Sequence, residues 1–395
     1  MKWYKDTYRI GDAGGFGRGA LYAGILGLGL CVVGYFADQP RFFHAWLTAY
    51  AYWLSLALGA LFFVMLHHLT GARWSVVIRR LAESLTQTLP LMALLFLPLL
   101  LGMHDLYHWS HHDAVAADAA LQKKAGFLNV PFFVVRSILY LVVWIILSRM
   151  LYRLSLKEDT GYQAVTADRM RRVSGLGMVL YAFSATYAGF DWLMSLDPHW
   201  YSTIFGVIFF ASGLLGAISL MALMVVLLRR NGILVDVVTE EHRHDLGKLM
   251  LAFTIFWTYV SFSQYFLIWY GNIPEETVWY LDRWVGSWKT VSLIVLFGHF
   301  AIPFVALLFR ATKRNAVTLG IVAVWLLVMH WIHMYWLVYP TLLPDGATFS
   351  WIDLAATVGI GGLFVWMFWL RFVGQATVPV NDPKLAGSIS HVNPF

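Results

Sequence analysis

Apolar residues fall in long runs along this chain, broken by short polar clusters. A helix needs about 20 mostly apolar residues to cross a bilayer. Ten runs qualify: 18–36, 46–69, 86–103, 130–151, 176–196, 204–228, 248–270, 287–309, 316–338 and 351–370. No segment between them is long enough for a separate soluble domain. The pattern predicts an all-α integral membrane protein with ten transmembrane helices in one domain over 1–395. Helices two to five and six to nine are expected as two four-helix bundles, with helices one and ten on the flanks. A short arm (1–17) and a tail (372–395) complete the chain. The second and sixth runs each precede an Arg-Arg pair, Arg79–Arg80 and Arg229–Arg230, a faint sign of a parallel repeat.

Charge supports the count of ten. An even number of crossings puts both termini on one side. Of the 28 lysines and arginines, only Arg41, Lys123, Lys124, Arg136, Arg283 and Lys289 fall on the opposite side, which leaves 22 with the termini. Arg73, Arg79 and Arg80 are counted there as loop residues after the second run. Basic residues collect on the cytoplasmic side of membrane proteins, so both termini are expected in the cytoplasm, with the chain in a bacterial cytoplasmic membrane. The opening MKWYKDTYRIGDAGGFGRGA spreads its charges, and no small-residue cleavage site follows the run from Ala20 to Tyr35. An uncleaved first span is expected rather than a signal peptide.

Composition then changes the picture in two ways. Charged residues make up 13% of the chain, against about 25% in soluble domains, so the net charge of +6 reports orientation and not an affinity for nucleic acid. The single cysteine, Cys31, excludes an internal disulfide, a thiolate-ligated iron–sulfur cluster and a C-x-x-C-H haem attachment. Any redox cofactor held by this chain alone is organic or bound through histidine. No metal site is expected.

The ionisable residues inside the apolar runs carry the chemical signal, because a charge at mid-membrane costs about 2.5–3.5 kcal/mol on insertion scales. Asp191 and Arg136 fall at matching depth near the outer ends of runs five and four, which suits an ion pair. Asp197 precedes Pro198, a pattern suited to a helix N-cap; His199 is expected at the surface. Gln264, His330, His333 and Asp353 are also placed in the outer half, with His330 and His333 three apart on one helical face. His299 falls near mid-membrane. On the inner side His67, His68, Glu83, Thr86 and Gln87 end run two or begin run three, and Tyr181, Ser184 and Tyr187 partly bridge the gap. Two polar half-paths approaching His299 would suit proton movement, which needs groups that both give and accept. Helix–helix hydrogen bonding is the plainer reading of each residue. For a bis-histidine haem, His299 with His330 is the one workable combination.

Three stretches are more specific than periodicity: YAGFDWLMSLDPHWYSTIFG (187–206), FSQYFLIWYGNIPEET (262–277) and HHLTGARW (67–74). On these the chain resembles the NrfD-like, or polysulfide-reductase, membrane-subunit family, in particular the shorter NrfD-like subunit of alternative complex III. The resemblance extends over nearly the whole chain. It implies a subunit of a respiratory or photosynthetic complex that oxidises a quinol and passes electrons to an extracytoplasmic acceptor. It implies partners: a second, longer NrfD-like membrane subunit (ActC-like), iron–sulfur and multihaem cytochrome c subunits on the extracytoplasmic side, small membrane subunits and lipids. Haems and clusters would belong to those partners, with quinol or menaquinol the only redox ligand near this chain and nothing bound covalently.

Three roles follow as expectations. The first is a scaffold with a transmembrane proton path, using Asp191, Arg136, Gln264, His299, His333, His330, Asp353, Tyr187 and Tyr181, with His67, His68 and Glu83 on the cytoplasmic half. The second is an outer-leaflet quinol site beside Asp191 and Arg136, and the third a structural anchor. A secondary transporter would show broken helices at matched positions in the two halves; Pro90, Pro98, Gly177 and Pro303 are not so matched.

Overall fold

The computed structural model describes residues 2–4 and 7–393; Lys5, counted among the basic residues of the arm, lies outside the described residues. Ten helical segments are long and apolar enough to span a membrane. They are α1 (Phe16–Ala37), α2 (Gln39–Thr70), α3 (Val76–Leu101), α4 (Val130–Glu158) and α5 (Ala164–Trp192) in the first half. In the second half they are α6 (Phe205–Arg230), α7 (Glu240–Gly271), α8 (Trp288–Leu308), α9 (Ala316–Val338) and α10 (Trp351–Val373). The all-α, ten-helix expectation holds.

Local chemistry sets several helix starts. Asp38 accepts from Arg41 N, with Pro40 in the first turn of α2. Asn129 accepts from Phe132 N at the start of α4, where Pro131 follows. Each side chain meets an amide that the helix cannot.

Helices α2 and α6 are the most enclosed, with 83% and 78% of their apolar windows buried, and they form the seam between the two bundles. Helices α3 and α5 gather on α2, with α4 packed behind them on α5 and α3; α7, α8 and α9 gather on and beside α6. Close approach at the seam depends on small residues. A Cβ on Gly59 would stand 2.6 Å from the Ala217 Cβ and 2.8 Å from the Gly213 carbonyl, so nothing larger fits there. Helix α1 lies against α10 in the same manner: a Cβ on Gly24 would reach 2.8 Å from Leu363 N.

The termini share one end of the molecule. The arm forms a two-stranded hairpin, β1 (Lys2–Tyr4) with β2 (Arg9–Asp12), and Thr377 N donates to Tyr8 O at 2.8 Å. The tail then crosses the turns of both bundles at that end. Lys384 Nζ donates to Gly71 O at 2.6 Å, and Ser388 Oγ donates to Trp74 O at 2.7 Å. His242 Nε2 lies 3.1 Å from Ser388 O.

Several helices begin before their apolar runs, α2 at Gln39, α5 at Ala164 and α7 at Glu240 rather than at 46, 176 and 248, and two further differences change the reading of particular residues. The third span starts at Val76, not near 86, and is interrupted around Gln87–Thr88 and Phe96, where Pro90 and Pro98 each lack the N–H that would bond back into the turn before. Arg79 and Arg80, counted as loop charges, therefore lie within a helix and are 2% and 0% exposed. Asp197 caps no helix. It follows a short 3-10 turn, and α6 begins only at Phe205, after Ile204. The intervening chain is held outside the bundle by Trp200, which stacks on Trp279 (4.6 Å) and donates to Glu276 O at 3.1 Å.

Candidate functional site

The ionisable residues singled out from the sequence fall into four separate groups rather than one outer cluster and one inner one. The first joins α4 and α5. Arg136 Nε and Nη2 each donate to Asp191, both at 2.8 Å, and the Tyr140 hydroxyl donates to Asp191 Oδ2 at 2.8 Å. The third Arg136 nitrogen donates to Phe127 O at 3.0 Å. Phe127 and Phe132 cover the guanidinium, at 3.8 and 4.2 Å from its carbon to the ring centroids. Asp191 is 0% exposed, and its charge is met by a forked, planar partner, the strongest geometry open to a carboxylate. The depth match read from sequence forms this pair.

The second group lies between α2, α6, α8 and α9. Ser55 Oγ donates to Tyr52 O at 2.7 Å and lies 2.8 Å from His330 Nε2. With its hydrogen so committed, Ser55 accepts, and Nε2 of His330 carries the proton. Neutral His330 then accepts at Nδ1 from Ser212 Oγ, 2.8 Å away, and Ser212 in turn accepts from His333 Nδ1 at 3.0 Å. The result is a directed chain, His333 to Ser212 to His330 to Ser55, in which every member can both give and accept. Both nitrogens of His330 are engaged by serines, so it offers none to a haem iron in this arrangement.

His299 adjoins the chain, with its ring 5.7 Å from that of His333 and stacked on Trp257 at 4.1 Å. Both of its nitrogens, and Nε1 of Trp257, are buried without a hydrogen-bond partner. A π-helical turn over Val295–Ala301 presents this histidine. Pro303 has no N–H for the carbonyl five residues back, Gly298, and Trp325 Nε1 donates to that carbonyl at 2.7 Å. The irregular backbone is thereby satisfied within the bundle.

The third group closes the end of the molecule that carries the termini. Arg79 lies 3.1 Å from Glu83, 3.6 Å from Glu158 and 2.7 Å from Asp382 of the tail. Arg80 lies 3.5 Å from Glu83 and 2.8 Å from Asp159. Two guanidinium groups thus face four carboxylates. Burial pushes the Asp159 carboxyl above its ordinary value, against the opposing pull of Arg80. Arg79 also donates to His67 Nε2 at 3.2 Å; an arginine offers no acceptor, so His67 is protonated on Nδ1 and donates to Ser75 Oγ at 2.7 Å. His68 is buried beside it, its Nε2 without a partner. A mostly apolar cleft of about 120 Å³ runs from His67 and Ser75 to Leu214 and Ile218 of α6; Ser212, two residues before Leu214, falls about 200° away around the helix and does not line it.

The fourth group is at the start of α10, at the end away from the termini. Asp353 accepts from Arg41 at 3.1 Å, from Ser350 N at 2.7 Å and from the Tyr339 hydroxyl. It thus serves a capping box, with Ser350 as its partner, and is remote in role from the histidine chain. Gln264 donates to the Tyr280 hydroxyl at 2.9 Å, while its Oε1 is buried without a partner. Arg283, outside the spans, caps the end of α9 through the carbonyls of Trp336 and Leu337 at 3.3 and 3.2 Å, and burial lowers its pKa. Tyr181 is buried between Phe62 and Phe210. Tyr187 is 42% exposed, with its ring against Phe127 and Phe190, and takes no part in a polar path. Sequence reasoning missed Ser55, Ser212, Trp257 and Tyr140; the serines' spacing near His330 and His333 exists only in three dimensions, so no linear signal marks them.

No family model matches this chain, and no match is found among curated proteins.

Proposed function

We propose that this multi-pass membrane protein is a subunit of a quinol-oxidising electron-transfer complex of the alternative complex III type, serving as its scaffold and as a conduit for protons across the bilayer. The observation that carries the conduit is the directed chain His333–Ser212–His330–Ser55 beside His299, whose two nitrogens have no protein partner. Ionisable groups inside a membrane are costly and mark proton relays or substrate paths. The network of Arg79 and Arg80, with more carboxylate than guanidinium, supplies a collecting end. In this reading the termini are cytoplasmic, and haems and iron–sulfur clusters reside on extracytoplasmic partners. A longer NrfD-like subunit, together with small membrane subunits, packs against the bundle. Quinol is oxidised outside this chain's histidine chain.

The alternative of an outer-leaflet quinol site at Arg136 draws support from one feature: Phe127 and Phe132, both partly exposed, flank the guanidinium. Against it, Asp191 is already saturated by Arg136 and Tyr140.

Two measurements test the proposal. Affinity purification of the tagged chain from its native membrane should bring down haem- and iron–sulfur-bearing partners; a chain that purifies alone refutes the complex. In proteoliposomes of the assembled complex, His299→Phe and His333→Phe should retain quinol oxidation while proton uptake per electron falls at least severalfold. Unchanged uptake in both would leave the anchor reading. Loss of quinol oxidation in Asp191→Asn, with assembly intact, would favour the quinol site.

A further inference from the structure

A second cleft opens at the terminus-bearing end, away from the four groups above. Its volume is about 390 Å³, and it lies between the inner ends of α4 and α10, over the break in α3 at Gln87. Its polar lining is Arg149, Tyr152, Arg153, Arg371, Gln87 and Gln375. Among the described residues, no carboxylate pairs with Arg149, Arg153 or Arg371. The nearby carboxylates are already engaged: Asp159 accepts two hydrogen bonds from Arg80, at 2.8 and 2.9 Å, and Glu83 lies between Arg79 and Arg80. Three unneutralised guanidinium groups therefore converge on one cavity, a donor set suited to phosphate oxygens.

The setting of the cleft indicates where that phosphate comes from. On α4, the exposed residues Leu139, Val142 and Ile146 recur at helical spacing with Arg149 and Arg153, so one stripe passes from apolar to basic. Arg149 is nine residues, or about 13 Å at 1.5 Å per residue, from the inner end of α4. Leu370, also exposed and lining the cleft, sits beside Arg371 on the opposite wall. An acyl chain lying along the α4 stripe would leave its head group among the three arginines. Basic pockets between membrane helices near their ends are suited to anionic lipid heads.

We propose that this cleft binds the phosphate-bearing head of an anionic phospholipid, with Arg149, Arg153 and Arg371 as the phosphate ligands, while Gln87 and Tyr152, whose donors are held by Thr86, Ser148 O and Arg371 O, shape the wall beside them. The proposal rests only on the membrane-spanning fold and stands or falls apart from the electron-transfer reading.

The test uses the full chain reconstituted in nanodiscs of phosphatidylcholine with graded phosphatidylglycerol or cardiolipin, read by native mass spectrometry. The wild type should retain at least one anionic lipid, and R149Q/R153Q/R371Q should lower its occupancy about tenfold while staying monodisperse. If the triple variant does not fold, the three single variants are measured, and each should weaken retention severalfold. Retention unchanged in the triple variant, or in all three single variants, overturns the proposal. So does displacement of the lipid by millimolar inorganic phosphate, which would make this a site for a free anion. Loss of a co-purifying protein from the variant, with lipid retention intact, would make it a protein-docking surface instead.

Discussion

The Arg136–Asp191 pair and the His299 stack are equally hidden from solvent and opposite in how their polar atoms are met. Both Asp191 oxygens and all three Arg136 nitrogens have partners at 2.8–3.0 Å. His299 has none, and neither has the indole nitrogen it stacks upon. A saturated pair inside a low-dielectric bundle gains nothing by changing protonation, because each charge is held by the other. An unsaturated imidazole sits at a deficit that any mobile donor or acceptor would relieve. The contrast separates ionisable groups whose bonding is complete from one whose bonding capacity is still open, without appeal to depth or composition.

That contrast makes opposite predictions for single substitutions. Arg136→Ala leaves Asp191 charged, buried and partnered only by Tyr140; breaking a buried pair in this way costs about 3–5 kcal/mol. The variant should lose most of its folded yield in detergent, read by fluorescence-detected size exclusion, while R136M/D191L recovers it. Normal thermal stability of Arg136→Ala would make the pair dispensable and weaken the division drawn above.

The second prediction has the reverse sign. Phenylalanine at 299 keeps a planar ring against Trp257 and removes two buried, unpartnered nitrogens, each worth about 1–3 kcal/mol when unsatisfied. His299→Phe should therefore match or exceed the wild type in thermal unfolding. A melting temperature well below wild type would mean that His299 has a structural partner, and the comparison would fail at its second term.

The difference between these regions also shows what could be read from the sequence. Ten crossings were legible because a bilayer demands unbroken apolar length, and the Arg136–Asp191 pair because complementary charges at equal depth have few other partners. The four-way charge balance at the inner end was not. Arg79 and Arg80 look like loop residues, since three of the four carboxylates that make their burial tolerable, Glu158, Asp159 and Asp382, come from two distant segments. Ser55 and Ser212 were invisible for a related reason: a serine in an apolar run bonds by default to its own helix, and only the α2–α6 contact brings these two to His330. The π turn at His299 has a local cause in Pro303, yet proline alone does not announce whether a helix kinks or widens. Asp197 failed as a cap because Trp200, three residues on, is anchored to Trp279, and that tertiary contact overrides local preference.

The smallest effect is expected at the surface, where the comparison has a third, solvent-exposed term. Asp118 caps the short helix at Ala119–Lys124 through the amides of Ala120 and Leu121, at 2.7 and 3.2 Å, and holds His199 at 2.6 Å. The bond from His199, more than the two amides, places its pKa below the ordinary carboxylate value. A carboxyl whose folded value is depressed lends stability that is present above its unfolded value and is lost as pH falls through the folded one. The tether between the outer loop and the Asp197–Ser202 segment should hold from neutral pH down to about 4, the ordinary carboxylate range, and loosen below it. Hydrogen exchange over 118–125, corrected for intrinsic rates, should show this in the wild type. In Asp118→Asn, protection should be slightly lower at pH 7 and flat on acidification. A variant that still loses protection only below pH 4 would place the titrating group elsewhere. Because exposed pairs contribute little, neither change should alter global unfolding, and this distinguishes the surface pair from the buried Arg136–Asp191 pair, whose disruption is expected to cost folded yield.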